Sequence, residues 1–139
     1  MISIQTNDFD LSVELAQLKR HPGIGALVSF IGLVREFHPE HTLYLEHYPG
    51  MTEKVLTELA ATATTLWNLD AVRVIHRVGE LTAGENIVFV ATAAAHRQDA
   101  FTACQWLMDH LKTQAPFWKR EGSVWVEAKN SDQAALERW

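Results

Sequence analysis

Two stretches of this chain are apolar on both of their alternating faces, and they restrict the fold more than any other feature. Residues 25–34 (GALVSFIGLV) and 87–94 (IVFVATAA) offer no regular polar face. An extended segment of that kind has to be covered on both sides, so each is predicted as a central strand with further layers packed over it. Both are far shorter than the roughly 18 apolar residues of a membrane-spanning helix, so a membrane is not an expected partner.

The rest of the chain supplies the covering layers. Residues 2–5 suit a short strand. Asp10 is placed to cap a helix reaching about Arg20, with Leu11, Leu15 and Leu18 at helical spacing and Pro22-Gly23 closing it. A polar loop, EFHPEH, follows Arg35, then a strand at residues 42–48 and the turn Pro49-Gly50. Thr52 is predicted to cap a second helix whose stripe is Leu56, Leu59, Ala63 and Leu66, with Glu53 in its first turn. In residues 72–78, Val72, Val74, His76 and Val78 alternate with Arg73, Ile75 and Arg77, the pattern of a half-exposed strand, and GELTAGEN then turns the chain. The last long helix, about residues 96–114, carries Phe101, Cys104, Met108 and Leu111 on one side and is stopped by Pro116. Residues 117–121 and 124–127 suit a pair of short strands around Gly122, and SDQAALERW adds a helical turn. The order β-α-β-β-α-β-β-α-β-β, with short turns between neighbouring strands, favours antiparallel pairing and an α+β fold of two layers or slightly more.

No repeat or linker divides the chain, and 139 residues is the size of one domain able to bury a core, so residues 1–139 are expected to form a single unit. A net charge of −5 argues against a nucleic-acid binder, which would show a basic face. Cys104 stands alone on an apolar stripe, so no disulfide framework exists and a reducing cytoplasm fits; the thiol is read as a small core residue. The N-terminal MISIQTNDFDLS lacks the charged and apolar regions of a signal peptide.

Against that acidic balance, residues 108–121 (MDHLKTQAPFWKRE) concentrate Lys112, Lys119 and Arg120 at one helix end, a local excess of the kind that holds an anion. Each cation also has an ordinary reading. Lys112 in the last helical turn suits the helix dipole and has Asp109 three residues earlier as a partner. In a regular strand Phe117, Lys119 and Glu121 point one way and Trp118 and Arg120 the other, so Lys119 and Arg120 are not expected in one pocket. A Lys112/Lys119 pair would lower a lysine pKa and make it a usable acid, base or nucleophile. His96-Arg97 opens the last helix after three alanines, without a Ser, Thr, Asp or Asn cap. The pair either cradles a phosphate or carboxylate with the helix N–H groups or faces water, its charge offset by Asp99. Arg35 is either a strand-end surface cation or a fork for phosphate. His38-x-x-His41 and Glu46-His47 do not complete a set of matched zinc ligands, and no metal is expected. His76, on an apolar strand face, is read as a hydrogen-bonded core histidine.

Taken in order, Phe30-x-Gly32-x-Val34-Arg35, Leu45-Glu46-His47-Tyr48-Pro49-Gly50-Met51, Ile75-His76-Arg77-x-Gly79-Glu80-Leu81, Ala95-His96-Arg97 and Lys112-x-x-Ala115-Pro116-x-Trp118-Lys119-Arg120-Glu121 form one series. With that series the chain resembles the large, catalytic subunit of molybdopterin synthase, from about Phe9 to Arg138-Trp139. The resemblance implies an α/β hammerhead-type domain with an additional small antiparallel β subdomain. It also implies a sulfurtransferase that converts cyclic pyranopterin monophosphate (precursor Z) to molybdopterin by installing two dithiolene sulfurs. Sulfur would come from the C-terminal Gly-Gly thiocarboxylate of a small ubiquitin-like subunit. Two large subunits would form a homodimer, and one small subunit on each would complete a heterotetramer. No cofactor is implied. Carried over residue by residue, Lys112 and Lys119 take the catalytic positions. Arg35, His96 and Arg97 take the anion-binding positions, and Leu33, Val34, Arg120 and Glu121 line the substrate site. Phe30, Phe117 and Trp118 are candidates to wall the channel for the partner's tail. Two rivals remain from the residues alone: a phosphate-ligand binding module without catalysis, and a scaffold whose cations form only a rim.

Overall fold

The computed structural model describes residues 1–36, 42–126 and 130–139, and folds them into two four-stranded sheets and four helices. In chain order these are β1 (Ile2–Gln5), α1 (Leu11–Leu18), β2 (Ala26–Leu33), β3 (Leu43–His47), α2 (Met51–Trp67), β4 (Ala71–Arg77), β5 (Gly79–Leu81), β6 (Asn86–Ala94), α3 (Arg97–Gln114), β7 (Phe117–Glu121), β8 (Val124–Val126) and α4 (Asn130–Glu137). The first sheet has the order β1-β4-β6-β2 and the second β5-β3-β7-β8. Pairing is antiparallel except between β1 and β4, which run parallel. The class is α+β, as the element order predicts.

The predicted coverage on both faces is found for β6, whereas no residue of β2 is buried and Phe30 and Leu33 are 41 % and 55 % exposed. On β6, Phe89, Val90, Ala91 and Ala93 have no exposed surface. Val88 and Val90 join Val72 and Val74 against α2 and α3. On the opposite face Phe89 and Ala91 join Ile75 and Leu18, with Phe9 packed tilted on Phe89 at 5.9 Å between ring centroids. The strand expected at residues 25–34 is instead an edge strand, β2, paired among the described residues with β6 alone. Hydropathy records what lies above and below a strand, not beside it. Ala26 and Val28 meet the α2/α3 core and Leu27 and Ile31 the α1 core, so both faces are apolar although one edge is open.

Other departures have local causes. β4 is not half-exposed: Arg73 is covered through its bond to the buried Glu14 of α1 (Nε to Oε1, 3.0 Å). Arg77 is buried because its guanidinium donates to the carbonyls of Thr6 and Asn86. Thr52 does not cap α2. Gly50, at φ +86°, takes that position, its N–H held by Glu53 Oε1 at 3.0 Å. Leu66 and Phe101 leave their expected stripes and are 58 % and 61 % exposed; Trp67, edge-on to Trp106 and Trp139, closes that end of α2 in place of Leu66. The segment read as a plain turn contains β5. There Gly79, at φ +92°, swings the chain from the first sheet onto β3 of the second. Asp10 caps α1 as expected, its carboxylate accepting the N–H groups of Ser12 and Val13. The C-terminal helical turn is a full helix, α4. His38 and His41 lie outside the described residues, as does Glu127 at the end of the last expected strand. Among the described residues, no helix is long and apolar enough to cross a membrane.

The seam between the sheets positions the site. Val34, Leu43, Leu45 and Leu81 make a third small core there, with Ile87 against it. The β2–β6 register shifts between Gly32 and Leu33. Beyond that bulge the Val34 N–H reaches the Glu85 carbonyl at 2.8 Å, so the strand bends toward the second sheet as bulged strands do. A side chain at Gly32 would begin 2.7 Å from Val88 Cγ1, which explains the small residue at the bend.

Candidate active site

A cavity of about 610 Å³ opens along this seam. The bent end of β2 gives it Phe30, Leu33, Val34 and Arg35. The last turns of α3 give Met108, Leu111 and Lys112, and the inward face of β7 gives Phe117, Lys119 and Glu121. Its remaining lining includes His76, Ile87 and Val88. Six of the nine residues assigned to the site from sequence, Leu33, Val34, Arg35, Lys112, Lys119 and Glu121, therefore meet around one space.

Why these side chains converge is visible in the elements that carry them. Lys112 is the basic residue of the last turn of α3, where the exposed carbonyl ends favour a cation. Its partner is not Asp109. Lys112 Nζ lies 3.7 Å from Asp132 Oδ1 on α4. Asp109 is instead held by the chain terminus, accepting the Trp139 indole N–H at 2.6 Å and facing Arg138 Nε at 3.1 Å. Lys119 Nζ stands 3.8 Å from Glu121 Oε1, two residues along the same strand face. The alternation of β7 sends Arg120 to the opposite face, where its guanidinium lies over Tyr44 (4.7 Å) and Trp125 (5.5 Å). Arg120 is thus not brought into the cavity. Trp118 shares its face and departs from the expected channel wall, whereas Phe30 and Phe117 line the cavity.

His96 and Arg97 are also apart from it. Both are exposed at the start of α3, where His96 stands at the cap position without a side-chain capping bond. Lys112 lies fifteen residues on from Arg97 along the helix, about 22 Å at 1.5 Å per residue. One copy of the chain does not bring these two groups to one ligand.

Two further residues matter to this site: His76, read from the sequence as a core histidine, and Thr52, read as a helix cap. His76 is buried, yet it lines the cavity and lies flat on Phe117, centroids 3.8 Å apart and planes 17° apart. Burial pushes its imidazole pKa down to about 4; the bond to the Arg77 carbonyl opposes this, while the charges of His47 and Lys112 add to it. Thr52, with no exposed surface, accepts the Tyr48 N–H and donates to the Pro116 carbonyl, both at 3.0 Å. It thereby ties the start of α2 to the connection between Lys112 and Lys119. A Thr52→Val substitution, nearly the same shape, leaves the Tyr48 N–H and the Pro116 carbonyl without this partner. It is expected to cost about 2 kcal/mol in denaturant unfolding. An unchanged midpoint and slope would show that the bridge is not needed. The signal for both residues was three-dimensional: a cavity beside His76 and the Pro116 carbonyl beside Thr52.

Comparison with known proteins gives one consistent answer. Residues 4–114 match the family model described as MoaE protein. The chain is 51 % identical over 146 aligned positions to the molybdopterin synthase catalytic subunit of Pseudomonas aeruginosa, covering 99 % of this chain and 97 % of that one. The solved molybdopterin biosynthesis MoaE protein of Burkholderia ambifaria is 53 % identical and superposes with a TM-score of 0.87 over 100 % of this chain and 97 % of its own. A chain from the protein–protein complex of subunits 1 and 2 of molybdopterin-converting factor of Helicobacter pylori shares the fold at a TM-score of 0.77, with 19 % identity and coverage of 93 % and 90 %.

Proposed function

The chain belongs to the MoaE protein family, and from that membership we propose that it is the catalytic subunit of a molybdopterin synthase, an enzyme that converts precursor Z to molybdopterin with sulfur from a partner's thiocarboxylate. The observation that carries the reading is the convergence of Lys112 and Lys119, from α3 and β7, on one cavity with Arg35 at its edge. A phosphate-bearing heterocycle suits such a space. Cations hold the anion, and apolar groups such as Leu33, Ile87, Val88 and Met108 pack on the ring system.

Sulfur transfer from a thiocarboxylate passes through a tetrahedral oxyanion and needs a proton acceptor and donor in turn. Lys112, at the helix end and partly open to the cavity, is the acid/base or transient nucleophile. Lys119 holds the substrate's anionic groups, and Glu121 orients Lys119 through their close contact. The partner is a small ubiquitin-like subunit whose extended Gly-Gly tail enters past Phe30 and Phe117, a capture of a chain terminus by a groove. For the Helicobacter pylori protein of the same fold, a complex of two different subunits is known.

His96 and Arg97 serve the pocket of a second copy of the chain. Their exposure at an uncapped helix start suits anion binding, and their distance from Lys112 suits a site completed across a homodimer. Two large and two small subunits then make a heterotetramer.

The test is a turnover assay with the purified chain, the thiocarboxylated small subunit and precursor Z, followed by mass spectrometry. A product carrying two added sulfurs is expected. Binding of precursor Z without sulfur gain would make the chain a ligand-binding module, and absence of both would make it a scaffold; either overturns the proposal.

A further inference from the structure

The lysines and arginine of the cavity account for an anion, but a different kind of group stands in its lining. His76 lies at the end of β4 on the face covered by α3, opposite Val88 in the register, and both residues line the cavity. Its Nδ1 is 2.8 Å from the Arg77 carbonyl oxygen. A carbonyl only accepts, so Nδ1 carries the proton and Nε2 is left with a lone pair. Among the described residues Nε2 has no protein hydrogen-bond partner. Nor is it sealed away: the fully buried side-chain polar atom without a partner among these residues is Arg120 Nε. Nε2 therefore opens onto the space that His76 lines.

The ring is also held in orientation. Phe117 stacks along one face, and the bond to Arg77 prevents the ring from flipping without losing a buried partner. A fixed, neutral acceptor is a poor neighbour for phosphate or carboxylate, whose oxygens present lone pairs to its own. It matches an N–H donor on a flat heterocycle, the complement of what the lysines recognise. Burial keeps the ring neutral through the physiological range, and the charges of His47 and Lys112 act in the same direction, so the acceptor does not become a donor there.

We propose that His76 Nε2 accepts a hydrogen bond from a ring N–H of the bound pterin and so sets the orientation in which the substrate's reacting carbons face Lys112. This rests on the reading of the chain as an enzyme acting on a pyranopterin, and it adds the residue that distinguishes the ring from any other phosphate ester.

The experiment uses the full chain labelled with ¹⁵N-histidine. In the free protein the Nε2 resonance of His76 is expected at the position of an unprotonated imidazole nitrogen and Nδ1 at that of a protonated one. Saturating precursor Z is expected to shift Nε2 upfield, as hydrogen bonding to that lone pair does, whereas inorganic phosphate at saturation is expected to leave it in place. In turnover with the thiocarboxylated small subunit, His76→Asn keeps a donor for the Arg77 carbonyl but loses the acceptor. KM for precursor Z is expected to rise about tenfold with a smaller change in kcat, the size of one lost hydrogen bond. His76→Gln, whose amide oxygen reaches the Nε2 position, is expected to recover most of the loss. An Nε2 signal unmoved by precursor Z in protein that converts it, or a wild-type KM in His76→Asn, would overturn the inference. If the asparagine variant does not fold, the titration of the wild-type protein decides alone. Failure of the wild-type chain to convert precursor Z is a separate result, and removes the functional reading together with this one.

Discussion

Replacing Lys112 with alanine is expected to lower conversion of precursor Z by about 10³-fold, the scale of a lost proton-transfer or nucleophilic group, with the thermal unfolding midpoint almost unchanged. The two halves of that result have different causes. The Lys112 side chain is 52 % exposed and its ion pair with Asp132 spans 3.7 Å, so the pair contributes little to folding. The chemistry has no such reserve: α3 ends within a turn of this residue, and the other lysine of the cavity, Lys119, is anchored on β7 beside Glu121. Lys112→Arg separates charge from reactivity, because guanidinium keeps the positive charge but does not give up its proton near neutral pH. Activity close to wild type in Lys112→Arg would reduce Lys112 to an anion holder. Activity close to wild type in Lys112→Ala would remove it from the mechanism altogether.

Asp132 becomes the partner of Lys112 for the same reason that Asp109 does not. On α3 alone, Asp109 is one turn from Lys112 and is its natural partner. In the fold, Trp139 and Arg138 come back across α3 and occupy that carboxylate, and α4 presents Asp132 in its place. Local spacing identifies which groups could pair, whereas the competition between partners is settled by segments distant in sequence. His76 shows the same limit. A histidine between Ile75 and Arg77 on an alternating strand reads as packing, and it is packed. Only the arrival of α3 and β7 at the end of β4 places a cavity beside it.

Features written in local periodicity were legible. The Asp10 cap, the helix ending before Pro116 and the alternation that separates Lys119 from Arg120 follow from residues a few positions apart. The edge position of β2 was not, because an apolar face looks the same on an edge strand as on a central one. The Lys112/Lys119 pair was suggested by the stretch that carries both, but that Arg35 joins them was legible only through family resemblance, since nothing in the spacing brings the end of β2 to the end of α3. The spacing on β7 already kept Lys119 and Arg120 out of one pocket. The length of α3 further divides His96 and Arg97 from Lys112 within a single chain.

That division makes the second large effect a gain rather than a loss. Arg97→Ala and Lys112→Ala homodimers are each expected to be nearly inactive, because every site in them lacks one required cation. A mixed dimer carrying one chain of each kind, isolated through two different affinity tags, is expected to regain about half of the wild-type turnover per dimer, as the two-fold arrangement dictates. In it the Lys112 of the Arg97→Ala chain meets the Arg97 of the Lys112→Ala chain, restoring one complete site, while the other site carries both lesions. If each pocket instead drew on one chain only, both sites of the mixed dimer would hold one lesion, and mixing would restore nothing. An Arg97→Ala homodimer with wild-type turnover would show that this helix start is not part of the site at all. The single-chain distance of about 22 Å along α3 favours recovery, because the backbone hydrogen bonds of an intact helix leave no means of bringing its two ends to one ligand.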